Sequence, residues 1–375
     1  MAKTKITNIE VKKNNRNRIY RYICKCKTVS NPDISYALKL SLPTVMQNTK
    51  ELLELGLIEE VGELQSTGGR RAKALSAAAD YRLAAGLDIT QNHIGMVLAN
   101  LLGDILKYER VYYPYQKGME YFQEVNKKLE EFIEDSPAER EKILGLGISF
   151  PGIVDLQEKK VTSSHVLNVS AFPFSEAGGC FNLPCYFLND ANAGAYAEGI
   201  HSESAEPFFY LSLSNTVGGA LYYDGHLMQG QEFRCGEVGH MTLIPDGRAC
   251  YCGKSGCLDA YCSAKCLSGL TEKKLERFFA GLQEGEKKLA DAWDEYTKYL
   301  SIAVNNIHMI LDCDIVLGGY VGSCLEEHIE EIRKKVSERN TFSEDGSFVK
   351  TCKYKVGAAA LGAALQVIET FIEEV

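Results

Sequence analysis

Apolar positions in the first 55 residues recur at helical spacing. Ile19, Tyr20 and Ile23 form one such group, Ile34, Ala37 and Leu38 a second, and Val45, Leu52 and Leu53 a third. Asn31 followed by Pro32 reads as an N-cap with a first-turn proline, Ser41 reads as the next cap, and Gly56 closes the third helix. A supporting helix, then two short helices joined by a tight turn, is the layout of a helix-turn-helix. The period then changes. LIEEVGELQSTGGRRAKALS predicts two strands joined by a Gly-rich hairpin, a wing whose tip carries Arg70 and Arg71.

Past residue 80, strand and helix patterns alternate, which predicts an α/β body. YRLAAGLDITQNHIGMVLANLLGDILKYERVYY reads as a three-strand meander and YFQEVNKKLEEFIED as a charged helix. ILGLGISFPGIVD and CYFLND read as strands, the second running into the helix ANAGAYAEG. FFYLSLSNTVGGALYYDGHLMQG is a second strand–turn–strand unit. The helix YLSIAVNNIHMILDC, the strand DIVLGGYVG and the closing helix VGAAALGAALQVIETFIEEV follow. A meander followed by helices, occurring twice, predicts two similar lobes facing a cleft.

The 375 residues are 45% apolar, as in soluble globular proteins. No stretch approaches the roughly 18 unbroken apolar residues of a membrane span. The opening MAKTKITNIEVKK has no apolar signal core, so a cytoplasmic protein without membrane contact is expected, its 13 cysteines mostly reduced core residues. The net charge of -9 is unevenly spread. Residues 1–80 carry 14 Lys+Arg against 8 Asp+Glu, or +6; the remainder carries 41 - 14 = 27 against 50 - 8 = 42, or -15. A basic head on an acidic body suggests a polyanionic partner. The third helix is expected to expose Thr44, Gln47, Asn48 and Lys50 to base edges or phosphates, with Arg70 and Arg71 suited to backbone or minor-groove contact. A small protein-interaction domain is the alternative; the charge, the polar helix face and the GGRR tip together favour DNA.

The order GISFPGIVD, LNDANAGAYAEG, GEVGHM, CYCGKSGCLDAYCS and IVLGGYVG resembles the ROK family of sugar kinases and repressors over nearly the whole body, and the head resembles the DNA-binding domain of that family's regulators. The resemblance implies a two-lobed, actin-like (ribonuclease H-like) sugar-kinase fold behind a winged helix-turn-helix. It places the head at 1–80, an N-terminal lobe at 81–195 against which the closing helix (about 357–375) packs, and a C-terminal lobe at 196–356. It implies sugar contacts from Asn168, Asn189, Asp190, Glu237 and His240, with Asp190 at the position of the kinases' general base. Asp259 stands where the family usually has Glu, and the resemblance implies a sugar contact from it too, weakened by the shorter arm.

CYCGKSGC sets Cys250 and Cys252 one residue apart and Cys257 five further on, with His240 ten residues upstream of Cys250. Three thiolates and one imidazole suit a closed structural zinc site, and the resemblance implies the same four ligands; a disulfide is the alternative. Such an ion would fix the loop carrying Glu237. The phosphate loops depart from the family. Asp88-Ile89-Thr90-Gln91-Asn92 replaces Asp-x-Gly-Gly-Thr, and Ser214-Asn215-Thr216-Val217-Gly218-Gly219-Ala220 replaces Gly-Thr-Gly-Ile-Gly-Gly-Gly. Backbone amides reach phosphate through such glycines, so kinase chemistry is expected to be lost. The expected protein is a sugar-responsive repressor that binds operator DNA as a homodimer and takes a small sugar or sugar phosphate as effector. A sugar kinase that kept a DNA-binding head is the runner-up, and a body that only dimerises the head or docks a phosphotransferase component is a third reading.

Overall fold

The computed structural model describes residues 8–64, 72–200 and 206–375. Arg70 and Arg71 lie outside the described residues. The head consists of α1 (Asn8–Lys25), α2 (Asn31–Leu38), α3 (Leu42–Glu54) and an antiparallel hairpin of β1 (Ile58–Glu63) and β2 (Lys73–Ala77). Ser30, not Asn31, caps α2: its hydroxyl accepts the Asp33 N–H while the Asp33 carboxylate accepts the Ser30 N–H, a reciprocal capping box. Asn31 instead accepts a hydrogen bond from Thr49 of α3 at 3.0 Å and ties the two helices together. Ser41 caps α3 as expected. Ile34 is buried, but Ala37 faces solvent.

The body holds two five-stranded sheets of the same topology. The first comprises β3 (Leu83–Ile89), β4 (His93–Asn100), β5 (Ile105–Tyr112) and, after α4 (Met119–Glu134), β6 (Ile143–Phe150). A small three-stranded sheet follows, of β7 (Ile153–Asp155), β8 (Lys160–Ser164) and β9 (Val169–Pro173). Then come α5 (Phe174–Gly178), β10 (Cys185–Asn189) and α6 (Asp190–Ile200). The order β10-β6-β3-β4-β5 joins an antiparallel meander to two parallel strands. β11 (Phe208–Leu213), β12 (Val217–Tyr223) and β13 (His226–Met228) open the second sheet. Four helices follow: α7 (Asp259–Cys262), α8 (Ala264–Ser268), α9 (Leu275–Gln283) and α10 (Lys287–Leu311). β14 (Asp314–Gly318), α11 (Gly319–Gly322), α12 (Ile329–Ser337), β15 (Val349–Thr351) and α13 (Ala358–Glu374) complete the chain. Its order, β13-β12-β11-β14-β15, repeats the first.

The repeat is therefore deeper than the expected pair of meanders: each sheet also gains two parallel strands. ILGLGISFPGIVD is two strands, not one, because the chain turns at Pro151-Gly152, where Gly152 adopts φ +142. The long helix α10 starts twelve residues before the predicted YLSIAVNN segment. The expected division after residue 195 falls inside α6, which packs against strands of both sheets.

Helix α13 lies flush on the first sheet. A Cβ on Gly86 would come within 1.9 Å of the Ala360 carbonyl, one on Gly147 within 1.9 Å of the Ala363 carbonyl, and one on Gly362 within 1.7 Å of the Ala193 carbonyl of α6. Only glycine permits such backbone approach. The core beside this seam is shared with the head: Ile19, Ile23, Val45 and Leu52 form one buried cluster with Val97, Ala197, Leu361 and Ile368. Arg21 of α1 closes the contact with a bidentate ion pair to Glu369 of α13, one arm at 2.8 Å. No described helix is long and apolar enough to cross a membrane.

Gly147→Ala is expected to force α13 off the sheet and to destabilise the protein by about 1–3 kcal/mol, the usual range for overpacking. Urea denaturation followed by far-ultraviolet circular dichroism measures this; an unchanged midpoint would contradict the seam.

Candidate functional site

The two sheets meet at a cleft. Asp88 at the end of β3 and Asp190 at the start of α6 both line it, at the strand ends where open α/β sheets place ligand groups. The Ser149 hydroxyl donates to Asp88 Oδ1 at 2.8 Å, and Asp190 Oδ1 accepts the Ala191 N–H at 3.0 Å. Burial, reinforced by the charge of Asp88, pushes the Asp190 carboxyl up to about 7. Burial likewise pushes Asp88 up to about 6, against the Ser149 hydrogen bond and the Arg110 guanidinium. Near neutral pH this pair is not fully ionised. Thr90, Gln91, Ser214, Asn215 and Thr216 also line the cleft, so side chains stand at both loops that lack the phosphate-binding glycines. Residues 355–359, leading into and opening α13, form another part of its lining.

Asn189 caps α6 through its Oδ1, which accepts the Asn192 N–H at 3.0 Å, and its amide donates to the Gly152 carbonyl at 2.9 Å. It lines a second cavity of about 870 Å³, together with Phe174 and Phe233, while its amide also donates to Asp190 Oδ1 at 3.0 Å. Asn168 is exposed in a left-handed turn (φ 52) before β9, while its neighbour Val166 reaches the cleft. Asp259 is 4% exposed, and its Oδ2 accepts the Val217 N–H at 2.6 Å. The short acid thus braces the start of β12, and burial raises its carboxyl.

The expected ligands His240, Cys250, Cys252 and Cys257 converge: their donor atoms all lie within 4.8 Å of one another. Cys252 and Cys257 sulfurs are 3.8 Å apart, and His240 Nδ1 lies 4.0 Å from Cys250 Sγ. All thirteen cysteines are free. Gly256 makes the turn possible, because a Cβ there would meet the Ile244 carbonyl at 1.9 Å. On the other side of the imidazole, Nε2 lies 3.4 Å from the Tyr251 hydroxyl. The His165 ring stands 6.3 Å from His240 and 6.0 Å from Tyr251. Burial raises the Glu237 carboxyl, and the charges of His165 and Arg234 oppose the rise. Neither His165 nor Tyr251 was anticipated. Tyr251 could have been, since it sits between two of the clustered cysteines; His165 comes from the β8–β9 turn, and nothing local marks it.

In the head, Gln47 and Lys50 are exposed on α3, as expected. Thr44 is half-buried, its hydroxyl 2.7 Å from that of Ser41, so it belongs to the cap. Asn48 is not a surface group. It is 2% exposed, and its amide donates to the Thr44 carbonyl at 2.7 Å.

Residues 84–370 match the ROK family, and residues 13–59 match a winged helix-turn-helix DNA-binding family. The chain belongs to the ROK family. This ROK chain is 28% identical to the xylose repressor of Caldicellulosiruptor bescii over 390 residues, spanning 96% of this chain and 97% of that protein. It is 27% identical to the Bacillus subtilis xylose repressor, spanning 97% of each. Among solved structures, a ROK family transcriptional regulator homologous to Escherichia coli Mlc superposes with a TM-score of 0.76 at 22% identity, covering 97% of each chain. A ROK family glucokinase from Streptomyces griseus, solved with glucose and AMPPNP, superposes with a TM-score of 0.65 at 21% identity, covering 75% of this chain and 98% of its own. The fold of this ROK chain is thus common to regulators and kinases, and the helix-turn-helix head accompanies it here.

The cleft carboxyls make stability depend on pH. Asp190 titrates higher in the folded chain than its usual 3.8, so the stability it contributes is full below about pH 4 and is lost as pH rises through about 7. Asp190→Asn is expected to remove that loss. Its melting temperature should exceed that of the unsubstituted protein at pH 8 and approach it near pH 4. A difference that does not change with pH would refute the assignment.

Proposed function

We propose that this ROK protein is a repressor of carbohydrate genes whose grip on operator DNA responds to a sugar, or sugar phosphate, bound between its lobes. One observation carries the reading. Helix α13 is about 25 Å long; its start lines the cleft, and its far end is ion-paired to the first helix of the head. A ligand that favours one position of α13 would bias the head, and ligand and operator couple by as much as their preferred states differ. Asp190, Glu237 and His240 are the polar groups proposed to meet the sugar hydroxyls, with Tyr251 against His240 Nε2. Gln47, Lys50 and the wing arginines Arg70 and Arg71 are proposed to meet DNA, each head of a homodimer reading one half-site. The name xylose repressor borne by two relatives supports this class of function.

The His240, Cys250, Cys252 and Cys257 cluster fits zinc. A tetrahedral ion with bonds of about 2.3 Å to sulfur sets its sulfurs about 3.8 Å apart, the spacing of Cys252 and Cys257. The metal would hold the loop that carries Glu237 and leave Nε2 of His240 pointing away from the thiols. Metal analysis of the purified protein is expected to give about one zinc per chain. Cys252→Ser should lower that content and the melting temperature, and should weaken sugar binding more than DNA binding. Absence of zinc, with two of the three thiols joined in a disulfide, would overturn the site.

The glucokinase likeness favours one rival, a kinase that kept its head; the side chains at both phosphate loops count against it. A thermal-shift screen of pentoses, hexoses, N-acetylhexosamines and their phosphates identifies the ligand. That ligand is expected to change operator affinity roughly 5- to 150-fold in the full-length protein and to do nothing in Glu237→Ala. Tight, Glu237-dependent binding that leaves operator affinity unchanged would sink the switch. Sugar-dependent release of ADP from ATP, abolished by Asp190→Asn, would establish the kinase.

A further inference from the structure

Helix α3 has two faces of opposite character. The inner stripe Val45, Asn48, Thr49 and Leu52 is buried against the rest of the head. The outer stripe carries Leu42, Pro43, Met46, Gln47 and Lys50, all exposed. Leu42 is 42% and Met46 55% exposed, and the two sit one helical turn apart, so they form a continuous apolar strip on the first half of the helix. The strip is bordered by cations: Lys50 on the same helix, and Lys39 in the turn before it.

What this face lacks is as telling. The helix, LPTVMQNTKELLE, contains no arginine, the commonest reader of guanine, and its one asparagine is turned into the core. Of the groups that read base edges by hydrogen bonds, the outer face of α3 offers the Gln47 amide and, further along, the Lys50 ammonium and the Glu54 carboxylate, which pair with each other at 3.8 Å. Beside them stand two large apolar side chains. In the major groove the apolar feature of the bases is the 5-methyl group of thymine. We propose that Leu42 and Met46 form a thymine-methyl reading surface, with Gln47 beside them on an adenine edge, so that much of the operator specificity comes from apolar contact. The inference rests on the reading that α3 enters the major groove of operator DNA. The +6 charge of residues 1–80 and the flanking lysines suit that partner.

Deoxyuridine tests it, because it pairs as thymine does and lacks only the methyl. The full-length protein first selects its tightest duplex from a random-sequence pool. Each thymine of that duplex is then replaced singly by deoxyuridine and the affinity measured. Burial of one methyl corresponds to about a 4-fold change, so one or more positions in each half-site should lose about that much. Met46→Ala and Leu42→Ala should each bind thymine and deoxyuridine equally at the position they read, while Met46→Leu should keep the difference. The salt dependence should be unchanged by these substitutions, since no phosphate contact is lost. Equal affinity of all deoxyuridine duplexes, or full methyl discrimination in both alanine variants, would overturn the proposal. Selection without methyl discrimination removes this inference alone, whereas failure to select any duplex removes the regulator reading with it. A dimer held together through this strip is a third outcome: Met46→Ala would then alter the oligomeric state and not the methyl response, and the proposal would fall.

Discussion

Backbone-to-backbone contact between α13 and its neighbours is the constraint on which the rest of the structure hangs. Gly86 and Gly147 clear the sheet surface, Gly362 clears α6, and small alanines fill the remaining space. With any Cβ at these three glycines the helix would stand further out, and both of its ends would move. One end forms part of the cleft wall, and the other carries Glu369 to Arg21 of the head. Packed interiors shift between discrete arrangements more readily than they deform continuously. A seam this tight therefore makes α13 behave as one body, and what happens at its start is felt at its end.

The polar chemistry of the cleft works against folding. Two part-buried carboxyls, Asp88 and Asp190, are held above their ordinary titration range with few hydrogen bonds to offset the burial. Groups kept at such a disadvantage commonly mark sites where ligand binding matters more than stability. The neighbouring cluster of His240 and three cysteines offers the opposite: a closed set of donors that can rigidify the loop bearing Glu237. The charge of Glu237 adds to the rise at Asp190, so the loop that the cluster can fix stands beside the cleft carboxyls.

Much of this was legible in the sequence. The helical spacing of Ile19 and Ile23, the Ser41 cap, the doubled meander and the His240-to-Cys257 spacing all appear in the structure where the pattern put them. Asn48 was misplaced although the pattern held the answer: Val45, Asn48, Thr49 and Leu52 fall at i, i+3, i+4 and i+7, one face of a helix, and polarity alone argued against burial. The sheet of β7, β8 and β9 escaped because strands of three to five residues with Ser, Thr and Lys among them carry no usable period. Asn189 and Asp259 were legible as residues but not as roles. Asn189 caps α6 through a local partner three residues on and also donates to Asp190 Oδ1, whereas Asp259 holds β12 through Val217, a partner that only folding brings near. His165 could not have been found at all, because only folding brings the β8–β9 turn to Tyr251.

The Arg21–Glu369 pair joins segments 348 residues apart in time as well as in space. Synthesis runs from the N-terminus and domains fold as they emerge, so the helix-turn-helix is made before the body. Its core nevertheless closes against Leu361, Ile368 and Ile372, which are added about 300 residues later. A nascent or truncated chain therefore holds a head whose apolar flank is still uncovered, and such a flank is a mark that chaperones and proteases can read. The head acquires its finished setting only when the whole body stands behind it, so an incomplete copy is poorly placed to occupy the operator in place of a complete one.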